Sequence, residues 1–191
     1  MALEIIKYGH PVLREKGKRI DRVTAVIRQL AADMVETMYA ADGVGLAAQQ
    51  VDQPLLLTVI DVSATEHPWT ITPALSMPLI LVNPVLSHPV GEQTGNEGCL
   101  SIPEVSAQIR RAAQVTVRAH DLDGRELHFE CTGLLARAAQ HEVDHLNGIL
   151  FVDRMDAATR ASISGKLKKL QKETEATLDK PKKSRRSLVR S

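Results

Sequence analysis

A chain of 191 residues is long enough for one domain with a substantial core and gives no reason to expect two. Its 43% hydrophobic and 25% charged content excludes general disorder, and no apolar run approaches the roughly 20 residues of a membrane-spanning helix. Twenty-four Lys and Arg stand against 23 Asp and Glu, but six of the basic residues follow Leu178 beside a single Asp, which leaves a mildly acidic body and a basic tail.

The first ten residues, MALEIIKYGH, lack a basic segment followed by an apolar stretch and a cleavage site, so a cytoplasmic protein is expected. From Val23 onward, Val26, Ile27, Leu30, Met34, Val35 and Met38 recur at the spacing of one helix face, with Asp21 placed to cap the start. This helix should end at Ala41-Asp42-Gly43, where glycine can adopt a terminating conformation, and a glycine-containing loop should follow. Leu55 to Ile60 and Leu79 to Val82 read as strands, separated by a loop containing Pro and Thr. Val115, Val117 and Ala119 alternate with polar residues, and Leu122-Asp123-Gly124-Arg125 turns the chain back into Leu127 and Phe129, which predicts a hairpin.

The strongest periodicity runs from Gly133 to Asn147. Its apolar stripe takes in Leu134, Leu135, Ala138, His141, Glu142, His145 and Leu146, and Asn147-Gly148 closes it. Beyond it, Ile163, Leu167, Leu170 and Leu178 suggest a last helix interrupted in propensity by Gly165. Residues 1–178 are read as a single catalytic domain and 179–191 as a basic, disordered tail. No internal repeat is present.

The segment His141-Glu142-Val143-Asp144-His145 places two imidazoles four residues apart on one side of a helix, where they can grip one metal ion. Glu142 is not needed as a ligand and is free to serve as a general base on water. Two packed core histidines are the bland alternative, but that leaves unexplained a glutamate on the same buried face, where an unpaired carboxylate is costly. A catalytic site needs a third protein ligand. Downstream, Asp153, Asp156, Glu173 and Glu175 are unconvincing candidates. Upstream, Cys99 lies in Glu97-Gly98-Cys99-Leu100-Ser101, although a lone cysteine is more often a small buried hydrophobe, the class to which Cys131 belongs. Both thiols are expected to be free.

Gly43-Val44-Gly45-Leu46-Ala47-Ala48-Gln49-Gln50, Glu97 to Ser101 and Gln140 to Leu146 resemble, in order, the three motifs of the peptide deformylase family. The resemblance runs from about Ile5 to Asp153. It implies Cys99, His141 and His145 as metal ligands, Glu142 as the catalytic carboxylate, and Gln50 with the Leu100 backbone N–H as oxyanion donors. It also implies an α+β fold of small antiparallel sheets packed around a central metal-binding helix, with an amino-terminal and a carboxyl-terminal helix.

The reaction so implied removes the formyl group from the methionine of N-formylmethionyl nascent peptides. Gly43 and Gly45 would let backbone approach the substrate, and Leu135 and Ala138 are candidates for an apolar methionine pocket. Two imidazoles and a thiolate suit both iron and zinc. The resemblance points to ferrous iron, Fe2+, with Zn2+, Ni2+ or Co2+ as substitutes. Glu97 is expected to pair with an arginine, Arg111 being the candidate, and so to hold the Cys99 loop in shape. The resemblance further suggests a ribosome contact through the last helix and basic tail, with no role for membrane or DNA. Two rivals remain at this point, a zinc endopeptidase using the same helix and a non-catalytic metal or RNA-binding module. The first leaves two motifs unused, and the second lacks the fourth ligand of a structural zinc.

Overall fold

The computed structural model describes residues 1–178, so the expected tail at 179–191 lies outside the described residues. In chain order the elements are α1 (Ala25–Ala40), β1 (Gly45–Ala47), β2 (Leu57–Ile60), β3 (Trp69–Thr72), β4 (Leu79–Val90), β5 (Gln93–Cys99), β6 (Ile102–Arg111), β7 (Gln114–His120), β8 (Glu126–Thr132), α2 (Gly133–Leu146) and α3 (Ala157–Leu178). Six strands form one antiparallel sheet in the order β1-β2-β4-β7-β8-β3, and β5 pairs with β6 in a separate two-stranded sheet. The α+β architecture expected around a central helix is present, with one sheet larger than anticipated.

Helix α1 is capped by Thr24, whose hydroxyl accepts from Ile27 N, and not by Asp21. Asp21 lies outside the helix with its carboxylate exposed and 3.8 Å from Arg19. Of the expected stripe, Val23 precedes the helix and Val26 is 75% exposed, while Ile27, Leu30 and Val35 pack half-buried against the cluster that holds Ala31, Met34 and Met38. At the exit Asp42, not Gly43, takes the left-handed conformation, while the Gly43 N–H returns to Met38 O at 2.9 Å.

The glycine loop expected next is instead strand β1 followed by a 3-10 turn, Ala48–Val51. Leu46 sits opposite Val59 of β2, so this segment is part of the large sheet and all of 46–51 is buried. Strand β3 lies in what reads as loop, its Trp69 and Ile71 alternating with exposed threonines between Pro68 and Pro73. The expected hairpin is present as β7–β8, with Val117 opposite Phe129.

Three apolar clusters hold the elements together. Leu135, Ala136 and Ala139 of α2 pack with Leu81, Val117 and Phe129 of the large sheet. Met34 and Met38 of α1 cover Leu46, Leu57 and Val59. Leu167 of α3 packs with Ile102 and Ile109 of β6 and with Phe151. Ile163 and Leu170 join that contact, but Leu178, counted on the packed stripe, is 39% exposed. The result places α2 between the large sheet and the β5–β6 hairpin, so a helix face meets the Cys99 turn.

Candidate active site

Cys99 ends β5 at a bulged turn into β6, where it pairs with Ile102 across a register shift. That turn brings its thiol to the face of α2 carrying His141 and His145. The ligating atoms of the three side chains all lie within 4.8 Å of one another, and Cys99 Sγ is 3.2 Å from His145 Nε2. Among the described residues these are the His, Cys, Asp and Glu side chains close enough to share an ion in a group of three or more.

The surrounding charges favour a cation at this point. Glu97 is 5% exposed and receives Arg111 Nε and Nη2, both at 2.9 Å, and Arg137 Nη1 at 2.8 Å. Burial would raise its carboxyl, but hydrogen bonds from His141 and Arg111 overcome that and hold it down at about 2. An ionised Glu97 can only accept, so His141 Nδ1, 3.1 Å from Glu97 Oε2, is the donor. With Nδ1 so engaged, it is Nε2 that presents a lone pair once an ion displaces its proton. Burial pushes His141 down, yet Cys99 and Glu97 reverse the sign and carry it up to about 10, whereas burial and the charge on His141 hold His145 well below the usual range. The ionised Glu97 behind His141 gives a cation at this point anionic support.

Glu142 stands beside these ligands. It is 4% exposed, and its Oε2 is buried without a hydrogen-bond partner. Burial pushes the carboxyl up to about 7, against the opposing pull of His141 and Arg111. Gly45 makes room for it, since a β-carbon there would lie 2.8 Å from Glu142 Cδ. Gly43 similarly faces the Leu100 side chain, with a β-carbon placed 2.8 Å from Cδ1. The two glycines therefore admit neighbouring side chains of the site as much as they expose backbone.

Gln50, buried in the 3-10 turn, accepts from Ala47 N at 2.9 Å and directs Nε2 toward Ser101 Oγ at 3.2 Å and Cys99 Sγ at 3.5 Å. A cleft of about 570 Å³ opens over the cluster, lined among others by Gly43, Gly45, Gln50, Cys99, Leu100, Leu134, Ala138, His141 and Glu142. Leu135, expected as a pocket residue, does not line it. It is fully buried against the large sheet, and Leu134, one residue earlier and half-buried, takes the cleft side of α2.

Several participants lie outside the ligand and catalytic positions of the motifs. Arg137 lines the cleft and pairs with Glu97, while Asp144 accepts from both Arg111 and Arg154. Asp144 sits three residues after His141 and so faces the same side of α2, a hint available from spacing alone. The arginines, distributed over β6, α2 and the following turn, have no such marker, and of them Arg111 is the expected partner of Glu97.

The donor set fits a catalytic divalent ion. Cys99, His141 and His145 would supply three protein ligands, fewer than the four of a closed structural site, His141 is oriented by a carboxylate, and the neighbouring Glu142 Oε2 has no protein partner. Comparison with known proteins points the same way. The model of a family described as polypeptide deformylase matches residues 2–161. The chain is 43% identical over 185 residues to the peptide deformylase of Opitutus terrae, covering 92% of this chain and 96% of that protein. It is 42% identical over 179 residues to that of Methylacidiphilum infernorum, covering 90% and 94%. Among solved structures, peptide deformylase 1B of Arabidopsis thaliana with an inhibitor superposes with a TM-score of 0.84 at 35% identity, covering 96% and 98% of the two chains. The peptide deformylase of Thermus thermophilus gives 0.78 at 35% identity, covering 91% and 99%.

Proposed function

Because this chain belongs to the polypeptide deformylase family, we infer that it removes the N-formyl group from the amino-terminal methionine of newly synthesised proteins, using residues 1–178 as its catalytic domain. The observation that carries the assignment of the chemistry to this cleft is the convergence of Cys99, His141 and His145 within 4.8 Å beside the buried, unpartnered oxygen of Glu142. The ion we assign to these ligands is ferrous iron, with Zn2+, Ni2+ or Co2+ able to take its place.

A divalent ion held there supplies Lewis acidity and lowers the pKa of water. Glu142 accepts the proton of the water that attacks the formyl carbon. Gln50 Nε2 and the Leu100 N–H donate to the oxygen on which negative charge develops, without adding a cation that competes for the ligands. Glu142 then returns the proton to the amine nitrogen as the C–N bond breaks, leaving formate and a free methionine amino group. A carboxyl raised toward neutrality by burial is suited to both transfers. Leu134 and Ala138 on the cleft side of α2 provide apolar surface for the methionine side chain.

The test is to incubate the iron-loaded protein, kept anaerobic, with formyl-Met-Ala-Ser, the same peptide with a free amino terminus, and a longer internal peptide. Formate release from the first alone is expected. Internal cleavage would transfer the site to the endopeptidase reading. Gln50→Ala should lower kcat by about 10²-fold with the ion retained, the scale of one lost oxyanion donor. A change confined to KM would remove Gln50 from that role.

We further propose a ribosome contact through α3 and the tail. Lys166, Lys168, Lys169 and Lys172 are exposed on α3, and Lys180, Lys182, Lys183, Arg185, Arg186 and Arg190 follow in sequence. Such a surface can engage RNA phosphates in a salt-dependent way. Truncation after Leu178 is expected to leave small-peptide turnover intact and weaken co-sedimentation with ribosomes at low salt. Equal co-sedimentation of full-length and truncated protein would contradict a role for the tail. No helix among the described residues is long and apolar enough to cross a membrane.

A further inference from the structure

The two segments assigned to the oxyanion site come from distant parts of the chain, and apart from the Gln50 side-chain contacts to Ser101 Oγ and Cys99 Sγ neither strand pairing nor α2 ties the backbone of the Gln50 turn to that of the Leu100 turn. The amino-terminal segment does. Ile6 N donates to Gln50 O at 2.8 Å, Lys7 Nζ donates to Leu100 O at 2.9 Å, and Tyr8 N donates to Ser101 O at 2.8 Å. Three successive residues thus grip the backbone of both turns. The segment is itself backed by α3: Gly9, at φ +102°, lies so close that a β-carbon on it would be 2.8 Å from Gln171 Cα. It is wedged between a helix and the two motifs.

We propose that Ile6–Tyr8 is a strap that sets the relative position of the two oxyanion donors, and that Lys7 is a positioning residue for the reaction, acting through the Leu100 carbonyl. The inference rests on the deformylase reading of the cleft. Its physical basis is that Leu100 lies in a two-residue turn between β5 and β6, where a small shift of the Leu100 Cα re-aims the Cys99–Leu100 peptide plane that carries the Leu100 N–H. Anchoring the carbonyls of Leu100 and Ser101 fixes the two peptide planes that follow, and with Cys99 held by β5 pairing the Leu100 Cα, and through it that N–H, is left little room to move. Donors in an oxyanion site accelerate the reaction only when they are already aimed at the developing charge, so a loosened turn costs turnover more than substrate affinity. Lys7 is exposed, and solvent screening limits the worth of its single charged hydrogen bond.

The test compares Lys7→Met, which keeps the aliphatic stem, with Lys7→Arg, which keeps a charged donor, in full-length metal-loaded protein. Lys7→Met is expected to lower kcat for formyl-Met-Ala-Ser by about fivefold, a moderate share of what a charged hydrogen bond supplies when buried. KM, bound metal per chain and the thermal midpoint should stay where they are, and Lys7→Arg should recover at least half of the lost turnover. An unchanged kcat in Lys7→Met overturns the proposal. So does a fall in kcat that tracks lost metal or a lowered midpoint, or an Lys7→Arg protein as slow as Lys7→Met. If the unaltered protein releases no formate, the reading of the cleft fails instead, which separates the two outcomes.

Discussion

Glu142→Gln should retain its metal ion and lose turnover by about 10²–10⁴-fold, the range supplied by a positioned general acid–base group. The amide fills the same volume, which matters here because the carboxylate is 4% exposed and packed against Gly45, so a larger or smaller side chain would disturb the cleft as well. What the amide cannot do is take a proton. Glu142 is also outside the ligand cluster, and its Oε2 has no partner to lose. Formate release measured alongside metal content by plasma emission separates the two roles. Activity within tenfold of the parent would remove Glu142 from proton transfer, and lost metal would make it a ligand.

The second large effect concerns the two thiols. Cys99→Ser should weaken metal retention by more than about 10²-fold, beyond what losing a supporting contact typically costs a site. Cys131→Ser should keep the metal. Cys131 is fully buried in β8 and burial pushes its thiol up to about 12, so it offers no thiolate and touches no ligand. Its serine variant should instead lose about 1–3 kcal/mol of folding stability, the cost of burying a hydroxyl in an apolar cluster. Competition with a chromophoric chelator, read next to a denaturation curve, distinguishes the two. Equal metal loss in both variants would undo the ligand assignment.

The parts of the fold that could be read from sequence are those with a strong period. Helix α2 combines an apolar stripe with His141 and His145 four apart, and the β7–β8 hairpin alternates around Asp123-Gly124. Strand β5 offered no such handle: Gln93 to Cys99 holds two glycines and only one buried residue, Glu97, because its inward side chain serves an ion-pair network rather than a core. Strand β6 did alternate, with Val105, Ala107 and Ile109 buried, but Pro103 and the left-handed Glu104 break the pattern at its start. The first motif read as a loop because its glycines mark close packing against Glu142 and Leu100 rather than a turn.

The chemistry of the site was more legible than its support. Ligand residue types announce themselves, whereas Arg137 and Arg154 reveal a function only when three-dimensional packing brings the first to Glu97 and the second to Asp144. The same holds for Leu135 and Leu134. A one-residue step along a helix turns a side chain by about 100°, enough to move it from the core to the cleft, and periodicity alone does not say which of two adjacent leucines faces the site.

If Cys99, His141 and His145 together hold the ion on which turnover depends, all three side chains must appear in the environment of the bound metal. X-ray absorption at the metal edge of the cobalt-loaded, active protein tests it directly. One sulfur and two imidazole nitrogens in the first coordination sphere are expected, with the sulfur absent in Cys99→Ser. A sphere of nitrogen and oxygen alone in the active parent protein, or a sulfur that persists in Cys99→Ser, would contradict the account.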